Sequence, residues 1–257
     1  MPRTLNANDL LALMAIKDSA GWNQTPSDWL RLMRLEPEGC FCTEDIECPG
    51  RIVATATAIT YEAQLAWIGM VLTLPEFRGR GYAGALFAHT ISWLKSRGVR
   101  SIKLDATEMG RPLYEKYGFK IERPIERHVR TAPPSQMRAF RARPIDYTAD
   151  RAAFGADRSR LLDDLNAEGH LHGRPGSLAH FFGPCVTADP AEARRQLETQ
   201  VHHSPLVWDL FPENAEAVKL AREFGFEPMR RLQRMYLGGC AATDVDRIFA
   251  CAGFEYG

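Results

Sequence analysis

The residues with the clearest chemical purpose are Gly79-Arg80-Gly81-Tyr82-Ala83-Gly84, a glycine-rich turn between an apolar segment, Leu65 to Leu74, and an amphipathic one from about Ala83 to Arg97. Glycine lets a backbone approach a ligand closely, and the N–H groups that open a helix have no partners of their own, so such a turn cradles a phosphate-type anion. Arg78 and Arg80 add positive charge beside it. The turn also satisfies the G-x-G-x-x-G pattern of dinucleotide sites, with Asp105 about twenty residues further on. Two features oppose a dinucleotide fold. Pro75-Glu76-Phe77-Arg78 separates the strand from the first glycine, and the preceding segments read as an antiparallel meander, not as βαβ units.

The longer stretch Val71-Leu72-Thr73-Leu74-Pro75-Glu76-Phe77-Arg78-Gly79-Arg80-Gly81-Tyr82-Ala83 resembles the coenzyme motif of the GCN5-related N-acetyltransferase (GNAT) superfamily, in which a hydrophobic strand and a proline lead into Arg/Gln-x-x-Gly-x-Gly/Ala. Leu113-Tyr114-Glu115-Lys116-Tyr117-Gly118-Phe119 resembles that superfamily's second signature, Leu-Tyr-x-x-x-Gly-Phe, at the expected distance. Leu104-Asp105-Ala106-Thr107 and Phe154-Gly155-Ala156-Asp157-Arg158, with Gly183-Pro184, Gly225-Phe226 and Arg234-Met235, extend the resemblance to a bacterial-type subgroup with two GNAT-like domains in tandem. The resemblance implies an α/β (α+β) GNAT fold, a mixed central sheet flanked by helices with two strands splayed around acetyl-CoA as co-substrate, and no metal.

It also implies roles. The backbone of Val71, Leu72 and Thr73 would pair with the pantetheine arm as an added strand. The N–H groups from Gly79 through Arg80, Gly81, Tyr82 and Ala83 to Gly84 would hold the pyrophosphate, helped by Arg78. Tyr114 would protonate the leaving thiolate, a transfer uphill by only ~2 kcal/mol between a phenol and a thiol. Thr107 stands where many relatives carry an asparagine that bonds the pantetheine. Trp22, Asn23, Gln24 and Asp28 would lie over the acceptor. An amine with pKa ~10.4 is almost entirely charged at pH 7, so it must lose a proton before it attacks. Asp105, Glu108 and Glu62 are the carboxylates placed to accept one. The acceptor that follows is a small-molecule primary amine, with direct transfer in a ternary complex; a non-catalytic acyl-CoA sensor would use the same loop.

The elements that must position these residues are legible from periodicity and turn residues. Asp9 to Lys17, with Asn8 as its cap, and a segment starting at Ser27 read as helices. Cys40 to Thr43, Arg51 to Thr60 and Leu65 to Leu74 read as strands. The helix after the glycine turn stops at Gly98; a strand, Ser101 to Asp105, a short helix, Pro112 to Lys116, and a strand from Phe119 follow. These expectations divide the chain into a coenzyme-binding domain at 1–130, a linker at 131–143 and a second domain at 144–257. In the latter, Asp157 to Leu165, Pro190 to Val201 and Asn214 to Glu223 read as helices, and Phe181 to Thr187 and Pro205 to Phe211 as strands. Setting Gly118-Phe119 on Gly225-Phe226 places Leu113 on Leu220, Thr107 on Asn214, Glu115 on Arg222 and Gly110 on Ala217, a modest internal repeat. The second copy is degenerate: Thr187-Ala188-Asp189-Pro190-Ala191 replaces the glycine turn and Ala221 replaces Tyr114. It is expected to shape the acceptor pocket or a subunit contact, which leaves a homodimer open.

Composition closes other routes. Lys+Arg and Asp+Glu balance at 32 each, so no global field gathers nucleic acid or an acidic membrane surface. No apolar run approaches the ~20 residues of a membrane span, and a cytoplasmic location is expected. Cys40, Cys42, Cys48, Cys185, Cys240 and Cys251 match no zinc spacing, and His170, His172, His180, His202 and His203 read as loop histidines.

Overall fold

The computed structural model describes residues 1–132 and 145–257. The greater part of the expected linker, 133–143, therefore lies outside the described residues. The chain runs β1 (Arg3–Thr4), α1 (Leu10–Ser19), α2 (Pro26–Leu35), β2 (Cys40–Glu44), β3 (Ile52–Tyr61), β4 (Leu65–Thr73), α3 (Tyr82–Ser96), β5 (Ser101–Ala106), α4 (Arg111–Lys116) and β6 (Lys120–Arg130). It continues with α5 (Tyr147–Phe154), α6 (Ser159–Ala167), β7 (Gly173–Arg174), β8 (His180–Phe182), β9 (Cys185–Val186), α7 (Pro190–Glu198), β10 (Leu206–Leu210), α8 (Ala215–Glu223), β11 (Glu227–Gly238) and β12 (Ile248–Ala250).

Helix starts follow their caps. α2 opens at Pro26, not at Ser27, because Thr25 and Asp28 form a capping box and proline suits the first helical position. Asn6 caps a single 3-10 turn ahead of α1 in the same way, so Asn8 is not a cap. The expected strand from Phe181 to Thr187 is two short strands, β8 and β9, because Gly183-Pro184 interrupts it.

The strands β1-β2-β3-β4-β5-β11-β6-β10-β8-β7 form one mixed sheet in that order. β2, β3 and β4 pair antiparallel, which is the meander expected and not the parallel sheet a dinucleotide fold requires. β4 then pairs parallel with β5, with α3 as the crossover. β11, from the end of the chain, inserts between β5 and β6, and β6 in turn lies between β11 and β10. From β4 to β8 the pairings are parallel, antiparallel, antiparallel, antiparallel, parallel, a pattern that reads the same from either end.

The repeated positions occupy matching places in this pattern. Thr107 Oγ1 accepts from Gly110 N at the start of α4, and Asn214 Oδ1 accepts from Ala217 N at the start of α8. Gly118 and Gly225 both take positive φ, +86° and +76°, to end those helices. β6 and β11 each also carry an arginine at the same spacing from its glycine, Arg127 partly buried and Arg234 fully. Arg127 on β6 forks onto Asp209 on β10 with both contacts 2.7 Å, and Arg234 on β11 forks onto Asp105 on β5 at 2.9 and 3.0 Å. In both pairs the partners stand directly opposite in register.

Helices cover both faces of the sheet. Leu13, Ile16, Trp29 and Leu32 of α1 and α2 pack with Trp67, Met70 and Leu72 of β4; Phe87, Ile91 and Leu94 of α3 pack on Ile68, Leu104 and Phe119 from the other side. A segment after β12, up to Gly257, lies on the first of these faces: Trp67 Nε1 donates to Phe254 O at 2.9 Å, and Tyr61 Oη to Tyr256 O at 2.7 Å.

Candidate active site

β4 touches β5 only at Leu65, Ala66 and Trp67, opposite Ser101, Ile102 and Lys103. Beyond that point the two strands part, so the β5-facing edge of β4 from Ile68 to Thr73 has no strand partner. Val71, Leu72 and Thr73, the expected pantetheine-pairing residues, lie on this open edge. A bulge sits beside them: Thr57 is opposite Gly69 and Thr55 opposite Leu72, which leaves an extra residue on β4. Met70 absorbs it with φ +50°, and its carbonyl accepts from Thr55 Oγ1 at 2.8 Å. A non-glycine residue at positive φ is uncommon and here marks a backbone re-aimed at the gap between the strands.

The glycine turn follows directly. Gly79 and Gly81 have φ +75° and +84°, and a Cβ built on either meets nothing within 4 Å, so the glycines serve backbone conformation and leave their outer side open. Gly81 caps α3, whose first turn carries no acidic residue. Its unpaired N–H groups therefore form an electropositive end with nothing on its own helix to oppose an anion. Tyr82 packs edge-on to Phe77, and Arg80 lies over the Phe77 ring at 5.0 Å, both tied to the turn. Arg78 donates from Nε to Thr73 O at 3.3 Å and is otherwise exposed. Gly84 O accepts from Tyr117 Oη at 2.8 Å, which fastens the turn of α3 to α4.

Tyr114 projects from α4 into the same region, 8% exposed, with its ring 4.9 Å from Phe87. No hydrogen bond among the described residues engages its hydroxyl. Burial pushes the phenol well above its usual pKa, so it remains a proton donor through neutral pH. Thr107 is partly spent, because its hydroxyl already accepts from Gly110 N.

The expected proton acceptors fall apart in space. Both oxygens of Asp105 are taken by Arg234, in a pair whose side chains are 0% and 1% exposed. Burial raises the Asp105 carboxyl while the guanidinium pulls it down. As a free base Asp105 is thus corrected: the sequence could not show that an arginine more than a hundred residues away would claim it. Glu62 binds Arg151 at 2.9 Å, at the β3–β4 hairpin far along β4 from the bulge. Glu108 lies exposed in the turn before α4.

The acceptor loop is redistributed as well. Trp22 packs against the α1/α2 core instead of lining a pocket. Asn23 is consumed by the chain after β7: its Nδ2 donates to Ala179 O at 2.9 Å and its Oδ1 accepts from Leu178 N and Ala179 N at 2.8 and 2.9 Å. Asp28 closes the α2 cap through Thr25 and receives Arg31 at 3.1 Å and Arg174 at 3.2 Å. Asn23, Gln24 and Asp28 do border a polar cavity, together with Arg127 of β6 and with Arg174, Phe181 and Glu255 from the far half of the chain. Glu255 lies beside the β4 bulge, for a Cβ on Gly69 would sit 2.9 Å from the Glu255 Cα. Sequence reasoning missed Arg174 and Glu255 because no local motif surrounds them.

An anion turn opening a helix beside a splayed parallel strand pair, with the unbonded hydroxyl of Tyr114 close by, has the geometry that coenzyme-dependent group transfer needs. Residues 9–119, which hold all of these features, match the model of the Acetyltransferase (GNAT) family. Residues 9–119, somewhat under half of the chain, thus carry the likeness to the GNAT acetyltransferases, a family whose donor is acetyl-CoA. The chain is 26% identical to YitH of Bacillus subtilis strain 168, an N-acetyltransferase itself uncharacterised, with 86% of each chain covered. A protein of Pyrococcus horikoshii solved as a candidate acetyltransferase shares the fold over 100% of this chain and 95% of its own, with TM-score 0.85 and 22% identity. A GCN5-related N-acetyltransferase of Sphaerobacter thermophilus aligns over 93% of this chain and 95% of its own, with TM-score 0.62 and 16% identity. No helix among the described residues is long and apolar enough to cross a membrane.

Proposed function

We propose that the chain moves an acetyl group from acetyl-CoA to a primary amine of a small-molecule acceptor, directly and within a ternary complex. The observation that carries this reading is the coincidence, at one gap, of an unpaired strand edge, an anion turn and an unbonded buried tyrosine. Pantetheine lies along Val71 to Thr73 as the missing strand, and the pyrophosphate sits on the N–H groups from Gly79 to Gly84. Arg78 and Arg80 neutralise charge at the mouth, and Thr107 keeps one hydroxyl proton to offer the pantetheine.

The amine attacks the thioester carbon, the C–S bond breaks, and Tyr114 gives its proton to the departing sulfur. Its hydroxyl suits this because nothing else in the described chain binds it. The amine's proton passes to solvent, because Glu255 beside the bulge, like Asp105, has both oxygens engaged, by Arg174 and Gln24. Asp105 holds the sheet together, and Glu108 faces solvent at the turn.

The second half reads as a duplicated copy without its own coenzyme site. In support, Asp189 caps α7 through Ala191 N at 2.9 Å and puts negative charge where a phosphate would have to sit. Ala221 leaves no hydroxyl at the position aligned with Tyr114. Its contribution is the far wall of the acceptor cavity. Thiol release from acetyl-CoA against a panel of amines tests the reading. Turnover that depends on both the glycine turn and Tyr114 supports it, and acetyl-CoA binding without turnover of any amine would leave a sensor instead.

A further inference from the structure

The second half has a gap between strands too, and the chain itself fills it. β8 pairs with β10 only at His180, Phe181 and Phe182, opposite Leu206, Val207 and Trp208, just as β4 pairs with β5 over three residues before the strands part. Past Phe182 the chain turns at Gly183-Pro184 into β9, which forms no ladder with β10 among the described residues. Residues 245–251 lie in the opening. On one side β12 pairs antiparallel with β9, Ile248 opposite Val186 and Ala250 opposite Cys185, and Thr187 N donates to Arg247 O at 2.9 Å. On the other side Cys251 N donates to Asp209 O at 2.9 Å, and Trp208 Nε1 to Phe249 O at 2.7 Å.

Asn214, buried ahead of α8, fastens the segment. Its Oδ1 caps α8 through Ala217 N, and its Nδ2 reaches Val245 O, Asp246 O and Ile248 O at 2.9, 3.3 and 3.2 Å. An amide NH2 has two protons, so the three carbonyls share them. Thr107 holds the matching place in the first half and bonds the start of α4 in the same way. Both faces of the segment are buried: Phe249 packs among Trp208, Ala217 and Leu220, and Ile248 and Cys251 among Phe211 and Leu232. Cys251 O stands so close to the β8–β9 turn that a Cβ on Gly183 would have no room. Backbone bonds at both edges and buried side chains on both faces are how an extended ligand is held when it completes a sheet.

We propose that residues 245–251 are an internal ligand of the second half, seated between β9 and β10 as pantetheine is between β4 and β5, with Asn214 as the residue that holds them. The second half is then closed to coenzyme by occupation as well as by its lost glycine turn, and the chain takes one acetyl-CoA. The comparison with pantetheine rests on the acetyltransferase reading; the seating of the segment does not.

Hydrogen exchange at the Cys251 and Thr187 amides, one on each seam of the segment, and acetyl-CoA stoichiometry by titration calorimetry test this on the full chain. Asn214→Asp keeps an oxygen for the α8 cap but sets a charge against the three carbonyls. Asn214→Thr keeps the cap with the residue the first half uses, and it is too short to span them. In each variant both amides should exchange roughly 5–30-fold faster, while the β2–β3 ladder keeps its rates and one equivalent of acetyl-CoA binds as in the wild type. Rates unchanged in both variants, or wild-type amides that exchange like an exposed loop, would overturn the inference. So would a second equivalent of acetyl-CoA bound by the wild type and still bound by Gly81→Trp, which would leave the first-half reading standing. If the amides respond as expected but the wild type binds no acetyl-CoA, the coenzyme reading falls and the seating of the segment stands.

Discussion

Arg234→Met should be among the most damaging single changes available in this chain, and the structure says by how much. Arg234 and Asp105 are 1% and 0% exposed, face each other in register across β11 and β5, and form two hydrogen bonds of 2.9 and 3.0 Å. Methionine fills a similar volume between Trp67 and Phe211, whose rings lie 4.5 and 4.7 Å from the guanidinium, so packing is largely kept. What is lost is the partner of a buried carboxylate, which costs about 3–5 kcal/mol. For a chain of this size that corresponds to roughly 6–20 °C in Tm. Asp105→Leu in the same background removes the stranded charge and should recover most of the loss, because a buried pair often does little better than an apolar replacement. The assay is urea unfolding of both singles and the double, read as a double-mutant cycle. A cost below about 1 kcal/mol for R234M, or a double variant no more stable than that single, would refute the claim that this pair locks the exchanged strand.

Other consequences are as specific. Tyr114→Phe should lower kcat by roughly 10²–10⁴ while acetyl-CoA affinity and Tm stay close to wild type, since the hydroxyl has no partner to lose; steady-state kinetics beside a thermal melt would show a merely structural tyrosine by moving both. Gly69→Ala drives a Cβ to 2.9 Å from the Glu255 Cα, so it should cost about 1–3 kcal/mol and impair acceptor turnover more than acetyl-CoA binding. An unchanged melt and turnover would remove the segment after β12 from the site. His180, stacked 3.5 Å from His203, is held down to about 4 by burial and by its histidine neighbours. The unfolded chain then binds the extra proton first, so stability falls as pH drops from about 6.5 towards 4, and His180→Asn should flatten that slope in urea midpoints taken at several pH values. A slope unchanged by the substitution would assign the effect to other groups.

Several parts of this architecture were legible in the residues themselves. Gly79 and Gly81 announce a turn with positive φ, Gly98 and Gly118 stop helices, and the apolar period from Ala83 to Arg97 leaves little choice but α3. The β2–β3–β4 meander is equally local, since β-branched and aromatic runs between turn residues specify it. β11 was not legible. Its inward face includes Arg234, its neighbours in the sheet come from the other half, and nothing near Glu227 signals that Asp105 waits across the sheet. α5 was missed because a short helix with charged residues on several sides has little period to read. At the candidate site the same division holds: residues contiguous with a motif, Tyr114 and the turn among them, could be named from the sequence. Arg174 and Glu255, which meet Gln24 and Asp28 only after the chain has folded, could not.

Thermal unfolding with acetyl-CoA, on the wild-type chain and on Gly81→Trp, tests the central claim most directly. The glycine's surroundings are open, so the tryptophan should be tolerated apart from backbone strain at φ +84°, yet it occupies the place the pyrophosphate must take. At a hundred times its Kd, acetyl-CoA should stabilise the wild type by about 2.7 kcal/mol and the variant not at all. Equal stabilisation of both, or stabilisation by NAD(H) and not by acetyl-CoA, would contradict the account.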